Sequence, residues 1–230
     1  MNSRFAPALH NRAILLDDYK RYNEALEDYN DAIALSPGYP VYVFNRAITK
    51  YNIDDFEGAI SDINEGLKID PESLKSIKIK AQSLFNLKRF EEAVMLFEKL
   101  IENDPDESSF YLLGLCYGFN NDHLKAAKVF SKVLEIRKDA KYLRARAVSY
   151  VNSNQPLKAL EDYQSLILGD KTNYEYRFNR IKLLIQLNQK DLACEDLYNL
   201  KEIEFNKEEV ENLIKQNCTV FELRKQLDSF

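Results

Sequence analysis

Apolar residues recur at helical intervals along nearly the whole chain, and polar turns interrupt them at regular distances. In ALHNRAILLDDYKRY the apolar places are Leu9, Ala13 and Leu16; in NEALEDYNDAIAL they are Ala25, Leu26, Tyr29, Ala32 and Ile33. Steps of three and four residues predict two amphipathic helices facing each other across a short turn. The turn ends on one bulky residue, Tyr22, and the same place later holds Phe56, Phe90 and Pro156.

The pattern repeats. Ala25, Ala59, Ala93, Ala126, Ala159 and Ala193 follow one another at 33 or 34 residues. Twelve residues before each stands Ala13, Ala47, Ala81, Gly114, Ala147 or Ile181, five of them small. Four residues after each stands a large apolar residue: Tyr29, Ile63, Phe97, Phe130, Tyr163 or Leu197. Small residues let paired helices approach, and the large ones fill the space beside them. Pro37, Pro71 and Pro105 close the first three copies, because proline cannot continue the helical hydrogen-bond ladder. A single pair cannot bury its apolar stripe alone, so the copies are expected to stack into one elongated core.

On this period, the small residues at the eighth and twentieth places and the closing proline, the chain resembles the tetratricopeptide-repeat (TPR) family. The resemblance implies an all-α fold, a right-handed α-solenoid of helix-turn-helix repeats. Six copies are expected at about 6–39, 40–73, 74–106, 107–139, 140–173 and 174–207, spanning 1–207. Later copies drift, with Lys138, Lys171 and Phe205 in place of the terminal proline. The remaining 208–230 is expected to form capping helices or a degenerate seventh repeat, read in KEEVENLIKQN and TVFELRKQLDSF.

Composition narrows the functional classes. Hydrophobic residues make up 45% and charged residues 30%, as in globular proteins, and only six Gly and six Pro leave little room for a turn-rich β fold. A net charge of −5 argues against a general nucleic-acid binder. The opening MNSRFAPALHNR lacks the apolar core of a secretory signal, and no apolar run reaches membrane-spanning length. Cys116, Cys194 and Cys218 stand far apart without a C-x-x-C pair, which predicts free thiols in a reducing compartment. A cytoplasmic protein is the expectation.

Catalytic and metal-binding patterns are missing from the sequence. His10 and His123 lie in separate copies without partners at ligand spacing, and His123 reads as a solvated loop residue. No phosphate loop or nucleophile elbow occurs. The acidic pairs Asp17-Asp18, Asp54-Asp55 and Glu91-Glu92 fall at helix ends and starts, so helix-terminal polarity accounts for most of them. The chain is therefore expected to be no enzyme and to need no metal or cofactor.

Resemblance to the TPR family further implies that the first helix of each pair lines a concave groove. The places that would face it hold Asn11, Phe44, Asn45, Tyr51, Lys75, Lys78, Gln82, Phe85, Tyr111, Phe119, Lys141, Arg144, Phe178, Asn179 and Lys182. From the third copy on, five cations (Lys75, Lys78, Lys141, Arg144, Lys182) face one acid, Glu175, reversing the sign of the whole chain. Such a strip suits an acidic or carboxylate-bearing peptide, with aromatic rings as anchors and asparagines on its main chain. The implied function is a non-catalytic adaptor for a partner protein's segment, with self-association through the terminal repeats left open. The alternative is co-chaperone-like recognition of acidic C-terminal tails. For that clamp, Asn45 and Lys75 match two of five places; His10, Ile14 and Ile79 occupy the others.

Overall fold

The computed structural model describes residues 5–222. Among the described residues there are thirteen α-helices and no strand. The first six are α1 (Ala6–Asp18), α2 (Tyr22–Leu35), α3 (Pro40–Asn52), α4 (Phe56–Gly66), α5 (Leu74–Asn86) and α6 (Phe90–Asn103). There follow α7 (Glu107–Phe119), α8 (His123–Ile136), α9 (Ala140–Asn152), α10 (Pro156–Gly169), α11 (Tyr174–Gln186), α12 (Lys190–Glu202) and α13 (Lys207–Asn217). The chain is an all-α array of helix hairpins, divided into two compact units between Asn121 and Asp122.

Each turn within a hairpin is made the same way. Lys20, Asp54, Lys88, Asn121, Asn154 and Asn188 adopt left-handed backbone, with φ between 57° and 62°. Four of the six are Asn or Asp, the residues that tolerate this region best after glycine. The following helix is then often capped locally: the Asp55 carboxylate accepts from the Gly58 N–H, and Asp122 accepts from the Lys125 N–H.

In the first unit, the alanines at 13, 25, 47, 59, 81 and 93 are wholly buried, and Tyr29, Ile63 and Phe97 fill the space beside them. The first helices lie side by side, α1 against α3, α3 against α5, and α5 against α7. They thereby form one continuous face within this unit. In the second unit the same places, Ala126, Ala147, Ala159 and Ala193 with Phe130, Tyr163 and Leu197, are buried in the same manner. Helix α13 lays Val210 and Ile214 onto Leu197 and Leu200 of α12. Residues 219–222 begin a further helical turn; the rest of TVFELRKQLDSF lies outside the described residues.

The pairing of α12 with α13 corrects the reading of the cysteines. Cys194 and Cys218 form a disulfide with their Cα atoms 5.7 Å apart. Sequence spacing concealed this because the antiparallel return of α13, rather than a local motif, brings the two together. The free-thiol argument for a reducing compartment falls with it. Cys116 remains a buried thiol, its pKa pushed up to about 12 by burial. No helix among the described residues is long and apolar enough to cross a membrane.

A second device holds the hairpins together, and it recurs. Arg12, Arg46, Arg146 and Arg180 each donate two hydrogen bonds to an aspartate sixteen residues on, Asp28, Asp62, Asp162 and Asp196, at 2.5–2.9 Å. Each aspartate is buried. The guanidinium also reaches back to the preceding hairpin: Arg46 donates to Asn30 at 2.7 Å, Arg146 to Ser131 at 3.1 Å, and Arg180 to Gln164. One arginine thus ties three helices, in bidentate geometry that lysine cannot reproduce. In the fourth copy the same two places hold Leu113 and Val129, both buried apolar residues.

Candidate functional site

In the first unit, the face of the first helices carries a cavity of about 270 Å³ between α3 and α5. Three sequence-predicted residues, Phe44, Asn45 and Lys75, line it together with Ile48, Ile79 and Asp70. The Phe44 ring takes its place because Gly66 at the end of α4 has no side chain. A Cβ there would lie 2.2 Å from the ring. Lys75 stands exposed on α5 at the rim.

The Asn45 amide is already engaged, 2.7 Å from His10 Nε2. His10 packs tilted against Tyr42, ring centroids 4.8 Å apart, and burial lowers its pKa, so it is neutral at neutral pH. One Asn45 N–H is therefore spent on His10, leaving its other N–H and its carbonyl for a ligand. Close by, Asp17 is more than a helix-terminal acid. Its Oδ2 accepts from Tyr29 at 3.0 Å and Thr49 at 2.7 Å, while its Oδ1 is buried without a partner. Burial raises its pKa, and Tyr29 is raised as well by burial and the neighbouring carboxylate.

Further along this unit, rings anticipated as anchors pack on the turn aromatics. Tyr51 meets Phe56 at 5.5 Å and Phe85 meets Phe90 at 5.6 Å. Phe119 stacks on Phe90 at 4.5 Å yet remains 59% exposed, the most open of the anticipated anchors. Gln82 and Tyr111 are half-buried, and Asn11 is exposed.

The charge of the strip needs correction. Lys78 pairs with Asp106 at 2.9 Å. Burial alone would raise that carboxyl, but hydrogen bonds from Ser109 and Lys78 outweigh it and hold it below the usual range. In the second unit Lys182 pairs with Glu209 at 3.0 Å. Two of the five cations thus carry their own counter-charge, supplied by loop and cap residues that the sequence pattern did not place beside them. Lys141 lies 4.6 Å over the Tyr142 ring, and Arg144 is exposed on the same helix.

Phe178 is no anchor. It is 4% exposed, with Phe205 packed against it at 5.9 Å, a ring standing where earlier copies carry proline. Asn179 beside it is half-buried. His123, read as a solvated loop residue, opens α8 and is half-buried. Among the described residues no group of three or more His, Cys, Asp or Glu is placed to hold a metal ion.

The recurrent arginine–aspartate clamps leave a signal in the sequence. Arg at the seventh place and Asp at the twenty-third occur together in four copies and vanish together in the third and fourth.

Hairpins of this length, with small residues at the crossing and a continuous face of first helices within a unit, define a helical-repeat protein. Tetratricopeptide repeat family models match residues 6–39, 79–107 and 108–139. These stretches of the chain are tetratricopeptide repeats. No curated protein sequence matches it. Among solved structures it is similar to MamA (41-end) from Desulfovibrio magneticus RS-1, with TM-score 0.68 and 19% identity over 75% of this chain and 98% of that one. It is also similar to YrrB, a TPR protein with an unusual peptide-binding site, with TM-score 0.68, 18% identity, and 82% and 94% coverage. A tetratricopeptide repeat protein from Parabacteroides merdae aligns over 95% of this chain and 86% of its own, with TM-score 0.59 and 19% identity. These likenesses are of fold.

Proposed function

We propose that the protein is a non-catalytic adaptor that holds an extended segment of a partner protein on the face of its first helices. The single observation that supports this most is the α3–α5 cavity, where an aromatic wall (Phe44), an amide (Asn45) and an exposed cation (Lys75) converge. That combination suits a carboxylate attached to an apolar side chain: Lys75 meets the charge, and the walls take the side chain. Tetratricopeptide repeats are in general a fold for protein interaction, which agrees with this reading.

The test uses the full chain and a display library of ten-residue peptides bearing free C-termini, with each selected sequence remade as its C-terminal amide. Lys75→Glu is expected to weaken selected peptides at least tenfold while Lys182→Glu, on a cation already paired, changes little. Peptides that bind wild type and Lys75→Glu alike would overturn the assignment of this face.

A second reading rests on Asn45 and Lys75 lining the same cavity, two places of the carboxylate clamp. It requires that an acidic chaperone-tail peptide bind the wild type and be lost in Lys75→Ala. No binding by wild type removes this reading and leaves the first intact.

A further inference from the structure

The larger cavity of the second unit lies apart from that face. It measures about 680 Å³ and opens where the end of α8, the start of α9 and the end of α10 meet Tyr176 of α11. Its cause is visible in the repeat register. Ten residues after each register alanine stand Leu35, Ile69, Asn103, Ile136, Gly169 and Ile203. Only the fifth copy has glycine there, and a Cβ built on Gly169 meets nothing within 4 Å. Facing it, α9 starts on Ala140, where α3, α5 and α11 start on Pro40, Leu74 and Tyr174. Two missing side chains leave the space open.

The walls are apolar, formed by Leu134, Leu143, Leu166 and Tyr176, and the charged groups that line the cavity are Glu135, Asp139 and Asp170 with Lys138 and Arg146. Arg146 is spent on Asp162, and Asp139 has Arg137 at 3.8 Å. Glu135 and Asp170 remain against a single further lining cation, Lys138. Hydrogen bonds from Thr172 hold Asp170 below the usual carboxylate range, so it stays ionised. A volume within the range of small-molecule sites, roughly 300–1,000 Å³, with apolar walls and convergent charge, is the form of a ligand pocket rather than a packing fault.

We propose that this cavity binds a small amphipathic cation, its apolar body against Leu134, Leu143, Leu166 and Tyr176 and its charged head between Glu135 and Asp170. The occupant is a small molecule, and the site is independent of peptide capture on the first unit.

Calorimetric titration of the full chain with n-octylammonium, n-octanoate and n-octanol tests it, with amide NMR shifts at Gly169 and Asp170 reporting location. Octylammonium is expected to bind at least tenfold more tightly than octanoate, and to shift those amides. Gly169→Leu restores the residue type of the other copies and should weaken octylammonium more than tenfold with helicity unchanged. Glu135→Gln/Asp170→Asn should erase the preference for the ammonium over octanol even if the leucine variant folds poorly. The proposal is overturned by no octylammonium binding below its micellar concentration, by equal affinity for octanoate, or by unchanged affinity in the charge variant.

Discussion

Asp162→Ala isolates the value of one clamp. The substitution leaves the Arg146 guanidinium, whose side chain is 24% exposed, without its two short bonds of 2.9 and 2.6 Å. Breaking a buried pair on one side typically costs about 3–5 kcal/mol, and the partial exposure of Arg146 places the expected loss near the lower end, about 3 kcal/mol. With a urea dependence of about 1–3 kcal/mol per molar, the midpoint should fall by roughly 1–3 M. The chain itself supplies the compensating pair, since the fourth copy holds Leu113 and Val129 at these places. Arg146→Leu/Asp162→Val should therefore recover most of the loss and finish within about 1 kcal/mol of wild type, as apolar replacements of buried ion pairs do. The measurement is urea unfolding followed by helical circular dichroism, with the four chains of the cycle side by side. A double variant as unstable as Asp162→Ala would refute the claim that the two solutions are interchangeable. A loss under about 0.5 kcal/mol for the single variant would show that the clamp contributes no more than a surface pair. The first clamp provides the scale: Asp28→Ala leaves only the 65% exposed Arg12 guanidinium unpaired and should cost no more than about 1 kcal/mol.

Lys88 holds φ at 60°, a backbone that costs an L-residue about 1–2 kcal/mol and glycine much less, so Lys88→Gly should raise thermal stability by about 0.5–1 kcal/mol after the entropy of glycine is counted; Lys88→Val should lower it. Burial raises the Asp17 carboxyl, so the folded chain holds that proton more tightly than the unfolded one. Asp17 then costs nothing below its unfolded pKa and progressively more as pH climbs past it towards the folded value. Asp17→Asn, which keeps an acceptor for Tyr29 and Thr49, should gain on wild type between about pH 4 and pH 7, and a pH-independent difference would contradict the buried-carboxylate account. The Cys194–Cys218 bond closes a separation of 24 residues, so Cys194→Ala/Cys218→Ala should lose about 3 kcal/mol. Alkylation in denaturant without reductant should add one label, at Cys116; three labels would show the bond absent.

Much of the architecture was legible in order of the residues alone. Alanine at the crossing and a large apolar residue four places on can serve only one purpose when both recur six times, and all of the crossing alanines are buried. The candidate site was legible in part. Phe44, Asn45 and Lys75 share a cavity, but Phe178 sits in the core because Phe205 replaced a proline and packs on it. Lys78 and Lys182 met carboxylates on neighbouring elements, Asp106 and Glu209, at distances no linear pattern encodes.

By itself the sequence determined the repeat, its period, its helix pairs and the small–large alternation, because these depend on contacts between residues a few turns apart in the chain. Tertiary structure alone decided which charges remain free, which cysteines join and where space is left. Those outcomes depend on side chains from different hairpins arriving at one point, where a single Gly169 or a returning α13 changes what its neighbours can do.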